Sequence, residues 1–436
     1  MRTIFKKFIT YILRTESRLV LWKYKPKIIA ITGSVGKTST KDAVYAVLSS
    51  IAYVRKSEKS FNSEIGLPLT VLGIPNGWNN PLIWLQNTFK GLWLFIWPHK
   101  YPKWLVLEVG ISKPGDMKKT ASWLETDAVI ITAIGETPAH IEFYNSRKHL
   151  IEEKSQLIKT LKKDGLLVLN ADDESVLEMK SNTKNITVTY GFKEGVNVLG
   201  SADAIFYNEK DEPEGIIFRI DIEGKSLPVV IEGVFGRNHV YASLAALTLS
   251  FGLKFNILTA IESLKNYDVP PGRMRLLQGI EETLIIDDTY NSSPFACESA
   301  LKTLGEIKCS KGENCCRKIA ILGDMLELGK HTVEAHKNIG KVAQEKADVL
   351  LVVGPRAKSI KQGASEAGMS EKNIFEFLDS IEAGNFIKTF IQKGDIVLVK
   401  GSQGMRMERV VDAILLDQAN KKKLLVRQDK EWLEKK

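Results

Sequence analysis

Cysteine and proline are both scarce, with 4 and 14 residues in a chain of 436. Cys297, Cys309, Cys315 and Cys316 form no CxxC arrangement with histidines at zinc-ligand spacing. A structural metal site is therefore not expected, and the thiols suit a reduced, cytoplasmic protein. No low-complexity tract or fixed-period repeat is present, which excludes a disordered chain and a solenoid. No apolar run is long and clean enough to span a bilayer, and the first residues lack the apolar core and cleavage site of a signal peptide. Zinc-finger and RNA-binding signatures are missing, so no nucleic-acid role is expected. What remains is 44% hydrophobic and 26% charged, the composition of a soluble globular protein of two or three domains.

The net charge of +9 needs a cause, and much of the excess lies at the ends. Arg2, Lys6, Lys7, Arg14, Arg18, Lys23, Lys25 and Lys27 crowd the start, and Lys421, Lys422, Lys423, Lys435 and Lys436 the finish. The basic tail reads as solvated surface. Residues 1–26 read as a basic amphipathic segment. Ile4, Phe8 and Ile12 fall four apart with Phe5, Ile9 and Leu13 beside them, and cations occupy the other faces. That pattern suits either an interfacial helix or one docked on the protein's own core.

From Lys27 onward, short apolar runs alternate with helical stretches. Lys27–Thr32, Trp104–Val109, Ala128–Ile134 and Leu166–Asn170 read as strands, with helices over Lys37 to Ser50 and Arg147–Leu161. This rhythm predicts an α/β fold with a mainly parallel sheet covered on both faces. Residues from Asn185 to Ile231 turn shorter and more β-like, as an antiparallel flap would. The two prolines and glycine of Tyr267–Arg273 break the pattern, and strands resume at Leu284–Asp287, Lys318–Leu322, Val349–Val353 and Ile396–Lys400. The expectation is a central P-loop domain over 27–270 and a smaller, Rossmann-like α/β domain over 271–436.

The chemistry starts at Gly33-Ser34-Val35-Gly36-Lys37-Thr38, between a predicted strand and a predicted helix. Glycines let the backbone curl so that N–H groups point inward, and the helix N-terminus favours phosphate. Gly33 to Ser39 would hold the phosphates of ATP, Lys37 reaching the β- and γ-phosphates and the Thr38 hydroxyl a magnesium ion. The loop is the short GxxGKT form, since Ile31 stands where a full Walker sequence has glycine.

Further segments follow in a fixed order: Phe61–Thr70 (FNSEIGLPLT), Glu108-Val109-Gly110 with Lys113–Asp116, and Asn170-Ala171-Asp172-Asp173. Later come Asp287–Asn291 with Pro294, Gly323–Gly329 and Val399–Ser402. Over residues 27 to 415 this series resembles the Mur ligases, the ATP-dependent enzymes that join amino acids in peptidoglycan synthesis. Within that family it is most similar to the branch that adds D-alanyl-D-alanine to a UDP-muramoyl tripeptide.

The resemblance implies ATP and Mg2+ as cofactors and an acyl-phosphate intermediate. It also implies site roles: His140 and Lys154 at magnesium, Lys154 carbamylated, and Arg273 at the nucleotide phosphates. Asp288 and Asn291 match nucleotide contacts, and Lys400 and Ser402 would lie near the amine substrate. Glu108 has an independent rationale, because a carboxylate at a strand's carboxyl end beside the P-loop suits a hard cation.

The sequence departs from the family pattern in three places. The P-loop arrives after 32 residues, where such chains usually carry a separate UDP-sugar-binding domain first. Gly236-Arg237-Asn238-His239 has asparagine before histidine, leaving Asn238 or His239 as an adenine contact. An insertion over 75–104 carries Trp78, Trp84, Trp93, Trp97 and Trp104, a density suited to a lipid boundary, a protein interface or a core hairpin. A cytoplasmic enzyme touching the inner membrane face peripherally, with wall-synthesis proteins as partners, is the expectation. A related ligase for another wall peptide, a folate or a polyamino acid, or a non-catalytic ATP-binding partner, are the alternatives.

Overall fold

The computed structural model describes residues 2–58, 61–78, 80–111, 113–135, 143–308 and 316–434, with side chains from residue 7 onward except at 430 and 431. The chain divides into two compact units. The first comprises Met1–Ser201, Arg219–Val229 and Asn238–Asp268, and the second Ala202–Phe218, Val230–Arg237 and Val269–Lys436.

Helix α1 (Arg2–Tyr24) leads into β1 (Lys27–Thr32), α2 (Lys37–Ser49), β2 (Val54–Lys56), α3 (Gly66–Leu72), α4 (Pro81–Ile96) and β3 (Trp104–Glu108). Next come α5 (Asp116–Ala121), β4 (Thr126–Ile131), α6 (Arg147–Ser155), β5 (Leu161–Asn170), α7 (Glu174–Leu177) and β6 (Ile186–Gly191). Strands β7 (Val198–Tyr207), β8 (Pro213–Ile222) and β9 (Lys225–Glu232) precede α8 (Arg237–Gly252) and α9 (Ile257–Ser263). The sheet has nine strands in the order β2-β3-β1-β4-β5-β6-β7-β8-β9.

Pairing is parallel from β2 through β7, which explains the near-continuous Ile, Val and Leu of these strands: both faces are covered. The two-residue link Glu223-Gly224, with φ of 49° and 75°, permits only an antiparallel β8–β9 hairpin. Ala30, Leu105, Val129 and Leu167 from the strands share a core with Leu67 of α3 and Leu13 and Val20 of α1. Each buried leucine or valine among them stabilises the fold by roughly 1.5–3 kcal/mol.

Two expected boundaries shift. Strand β4 stops at Ile131 rather than Ile134, because residues 132–135 turn aside to brace the P-loop. The helix expected over Arg147–Leu161 ends at Ser155, followed by a 3-10 turn over Gln156–Thr160, so that Leu161 can start β5.

The tryptophan-rich insertion is not a hairpin of strands but the helix α4. Asn80 caps it, its side chain accepting from the N–H groups of Leu82 and Ile83, and Pro81 fills the first turn, where an N–H would be unsatisfied. Its C-terminal carbonyls meet α1: the Lys23 ammonium donates to Phe95 O at 2.6 Å and Trp97 O at 2.8 Å, complementing the helix dipole. Among the described residues no helix is long and apolar enough to cross a membrane.

In the second unit, β10 (Arg275–Gln278), β11 (Leu284–Asp288), α10 (Pro294–Glu306), β12 (Lys318–Gly323) and α11 (Thr332–Lys346) lead on. They are followed by β13 (Val349–Val353), α12 (Lys358–Glu366), β14 (Ile374–Phe377), α13 (Ser380–Phe390), β15 (Ile396–Lys400) and α14 (Glu408–Ile414). The sheet order is β10-β11-β15-β12-β13-β14, parallel except for β10. Lys422 and Lys423 of the basic tail are exposed; beyond them Leu425 is buried and the Arg427 guanidinium donates to Thr289 O, Tyr290 O and Glu408. Cys297 is a free buried thiol.

Candidate active site

The P-loop curls where β1 gives way to α2. Gly33 has φ 146°, and a Cβ there would lie 1.9 Å from Thr132 Oγ1, so the turn admits no side chain. Gly36, at φ 82°, opens α2 in the left-handed region. The loop is braced from β4's extension. The N–H groups of Ser34 and Val35 donate to Ala133 O at 2.7 and 3.0 Å, and Thr132 Oγ1 donates to Val35 O at 2.7 Å. Thr38 and Ser39 are buried in the first turn of α2, where its free N–H groups gather.

Two lysines converge on one carbonyl. Lys37 Nζ donates to Gly33 O at 2.9 Å and to Ser34 O at 3.2 Å, and Lys154 Nζ, from α6, donates to the same Gly33 O at 2.8 Å. Lys154 is 4% exposed. Burial, and then the charge of Lys37, hold its ammonium well below the ordinary lysine range. A buried amine that gives up its proton readily is a nucleophile, which an exposed helix lysine is not.

Glu108 ends β3 opposite Ile31 of β1, one residue short of the P-loop's own strand end. It is 1% exposed. Oε1 accepts from Asn62 Nδ2 at 3.1 Å, while Oε2 makes no hydrogen bond and lies 3.9 Å from Lys41 Nζ. A buried carboxylate oxygen without a hydrogen bond, at the strand end beside the P-loop strand, fits a divalent cation. His140, expected beside them, lies outside the described residues.

The Asn170–Asp173 turn works as a brace. Asp173 accepts from the N–H groups of Ile134 and Gly135 at 2.8 and 3.0 Å and caps α7 through Val176 N, so it anchors the segment whose Ala133 holds the P-loop. Asp172 accepts from Phe192 N and from the Tyr241 hydroxyl of α8, both at 2.8 Å. Asn238 sits half-buried in α8's first turn, while His239 is buried with Nδ1 2.8 Å from the Tyr267 hydroxyl, a core contact.

The second unit gathers its own set. Gly272 N donates to Asp287 Oδ2 at 3.0 Å and Tyr290 N to Gly272 O at 3.0 Å, folding the segment before β10 onto the end of β11. Arg273 stacks over the Tyr290 ring at 3.9 Å. Lys400, at the end of β15, is 2% exposed, pairs with Asp288 Oδ2 at 2.5 Å and donates to Asn291 O at 3.0 Å. Ser402 Oγ accepts from Leu326 N at 2.8 Å, and Gln403 N donates to Asn291 Oδ1 at 3.4 Å. Lys400 and Ser402 thus order the loop that carries Asp288 and Asn291. Burial pushes the Asp287 carboxyl up to about 6, against its bonds from Thr289 and Gly272.

These positions coincide with a family pattern. The profile of the Mur ligase middle domain matches residues 31–250, and that of the Mur ligase glutamate ligase domain matches residues 272–403. The chain belongs to the Mur ligase family. The UDP-N-acetylmuramoyl-tripeptide–D-alanyl-D-alanine ligase of Bacillus subtilis is 30% identical over 407 residues, spanning 92% of this chain and 79% of that one. The Escherichia coli enzyme of the same name is 25% identical over 391 residues, spanning 89% and 76%. MurF ligase from Thermotoga maritima, solved with ADP, shares the fold at a TM-score of 0.74 and 25% identity, over 93% of this chain and 83% of that one.

In this Mur ligase the expected Lys37, Lys154 and P-loop residues meet at Gly33, with Glu108 at the adjoining strand end. Arg273, Asp288, Asn291, Lys400 and Ser402 form the separate set of the second unit. Reading the sequence missed Asn62 and Lys41 as the groups around Glu108, and Arg427 as the clasp on the loop after β11. Lys41 carried a signal, since it follows Lys37 by one helical turn and so shares its face. Asn62 lay within a quoted motif without a role, and Arg427 had no signal beyond a charge in a basic tail.

Proposed function

We propose that this Mur ligase joins D-alanyl-D-alanine to a UDP-muramoyl tripeptide, forming ADP and phosphate. The observation that carries the reading is the convergence of Lys37 and the buried Lys154 on Gly33 O beside Glu108, in a chain similar over most of its length to ligases of that name. The substrate carboxylate attacks the γ-phosphorus of ATP, a C–O–P bond forms, and the bond to the β-phosphate oxygen breaks to release ADP. The amine of the second substrate then attacks the carbonyl carbon, the C–O bond to phosphate breaks, and the amine proton leaves. Both first reactants are anionic, so the cations at the site decide the barrier. Lys37 neutralises the transferred phosphoryl group, and Arg273 adds charge at the nucleotide.

Lys154 in its neutral form attacks carbon dioxide: an N–C bond forms, one proton is lost, and the side chain becomes a carbamate anion. Thr38, Glu108, carbamylated Lys154 and His140 would hold magnesium, which supplies positive charge at the phosphates. The reading places the enzyme in the cytoplasm with a peripheral contact to the inner membrane face, among wall-synthesis proteins. ATP consumption across UDP-muramoyl peptides, each with D-alanyl-D-alanine or a single amino acid as amine, tests it. Turnover that requires the tripeptide and D-alanyl-D-alanine is expected. Turnover with a shorter muramoyl peptide or with a single amino acid instead would replace the substrate assignment.

A further inference from the structure

Helix α4 is apolar on two faces, and its own fold accounts for one of them. Trp84, Asn87 and Gly91 turn inward, where Gly91 lets α1 approach so closely that an added Cβ would lie 2.2 Å from Glu16 Oε2. The opposite face presents Leu82, Leu85, Phe89, Trp93, Ile96 and Trp97, at spacings of three and four, each 49–67% exposed. Trp93 and Trp97 stack at 4.3 Å along it. Beside it, α1 buries Ile9, Leu13 and Val20 and leaves Phe8, Tyr11 and Trp22 at 60–71% exposure. Uncovered apolar residues at helical spacing along two neighbouring helices mark a binding surface and not scattered exposure.

The charges decide what covers it. Residues 2–27 and 77–103 contain a single acidic residue, Glu16, and it is buried. Lys7, Arg18 and Lys25 on α1 and its end, and Lys90, Lys100 and Lys103 on and after α4, are exposed. A second copy of this chain, docked face to face, would set these cations against themselves. An anionic lipid surface meets both features, since aromatic residues settle at the headgroup boundary and each nearby lysine or arginine is attracted to it.

We infer that the exposed faces of α4 and α1 form an interfacial lipid-docking surface, lying in the plane of an anionic bilayer with Phe89, Trp93 and Ile96 among the acyl chains and the lysines at the headgroups. The inference deepens the peripheral-contact reading and does not depend on the ligase reading. Its test needs no nucleotide or substrate, so either can fail alone. The full chain is mixed with phosphatidylcholine vesicles carrying about one-third phosphatidylglycerol, or none, at low and high salt. Binding to the anionic vesicles is expected, at least tenfold weaker without the anionic lipid.

Phe89→Glu with Trp93→Glu should weaken it by roughly a hundredfold, and Lys7→Glu with Lys100→Glu by about tenfold at low salt. Should the first pair unfold, brominated lipid supplies the readout on the unmodified chain, quenching Trp22, Trp93 and Trp97 but not the buried Trp104. No binding by the unmodified chain, equal binding by the Phe89/Trp93 variant, or a dimer that this variant dissolves would each overturn the assignment. The last outcome would give the face to a second copy.

Discussion

Glu16 is the group in α1 whose replacement has the best-defined consequence. Its side chain is 7% exposed, Oε2 has no hydrogen-bond partner, and α4 closes over it at Gly91. Burial raises its carboxyl from the ordinary 4.5 to about 7. The folded chain therefore holds the proton more tightly than the unfolded chain. Below pH 4.5 both forms are protonated and ionisation costs nothing. Between 4.5 and about 7 the unfolded form ionises first, and α1 packing is weakened by about 1.4 kcal/mol per pH unit. Above about 7 the cost is constant.

Glutamine keeps the shape and never ionises, so Glu16→Gln should tighten the packing at pH 8 by on the order of 3 kcal/mol more than at pH 5. Hydrogen exchange of the α1 amides reads this locally, as a ratio of variant to unmodified rates at each pH. Exchange about threefold slower at pH 5 and roughly three-hundredfold slower at pH 8 is expected. A ratio that is the same at both pH values, or faster exchange at pH 8, would refute a buried, unpartnered carboxyl.

The remaining predictions concern the site. Lys37→Ala should keep the fold and lose ATP turnover by roughly a thousandfold, from removal of the charge facing the phosphoryl group; turnover near that of the unmodified chain in steady-state assays would remove Lys37 from the chemistry. Lys154→Ala should be nearly inactive and regain activity with short carboxylates, while removal of carbon dioxide should silence the unmodified enzyme until bicarbonate is added. Indifference to both treatments would rule out a carbamate. Asp173→Ala should release Ile134 and Gly135 and uncap α7, lowering stability by about 1–2 kcal/mol and raising the KM for ATP through a loosened Ala133 brace, with kcat less affected. An unchanged KM would confine Asp173 to capping.

Much of the architecture was legible because parallel strands covered on both faces must be continuously apolar, as at Lys27–Thr32 and Val349–Val353. The P-loop was legible because few turns combine glycines, a lysine and a helix start. Two kinds of information were not. The first is the partner of a polar group. Asn62 and Lys41 meet Glu108 across 46 and 67 residues of chain, and Arg427 reaches Thr289 across 138, distances over which no local pattern speaks. The second is which side of an apolar helix faces inward. Around α1 the apolar positions cover more than one face, so the expected Ile4–Phe8–Ile12 row could not be told from the Ile9–Leu13–Val20 row that enters the core.

The same ambiguity in α4 has a physical consequence. A helix whose task is core packing alone has a polar outer face, because water rewards polar groups there and nothing selects for leucine or tryptophan. A helix that only spans a membrane is apolar all round and longer. α4 has 16 residues, one charge at Lys90, an inner face committed to α1 and α3, and an outer face as apolar as the inner one. Neither packing nor spanning accounts for the outer residues, and their exposure is unfavourable unless a second surface covers them. Since the exposed charges within residues 2–27 and 77–103 all carry one sign, the covering surface must carry the other, and it must accept tryptophan at its edge. The sequence alone showed the tryptophans and the cations; only their placement on one uncovered side of one helix pair turns them into a binding surface with a defined depth and orientation.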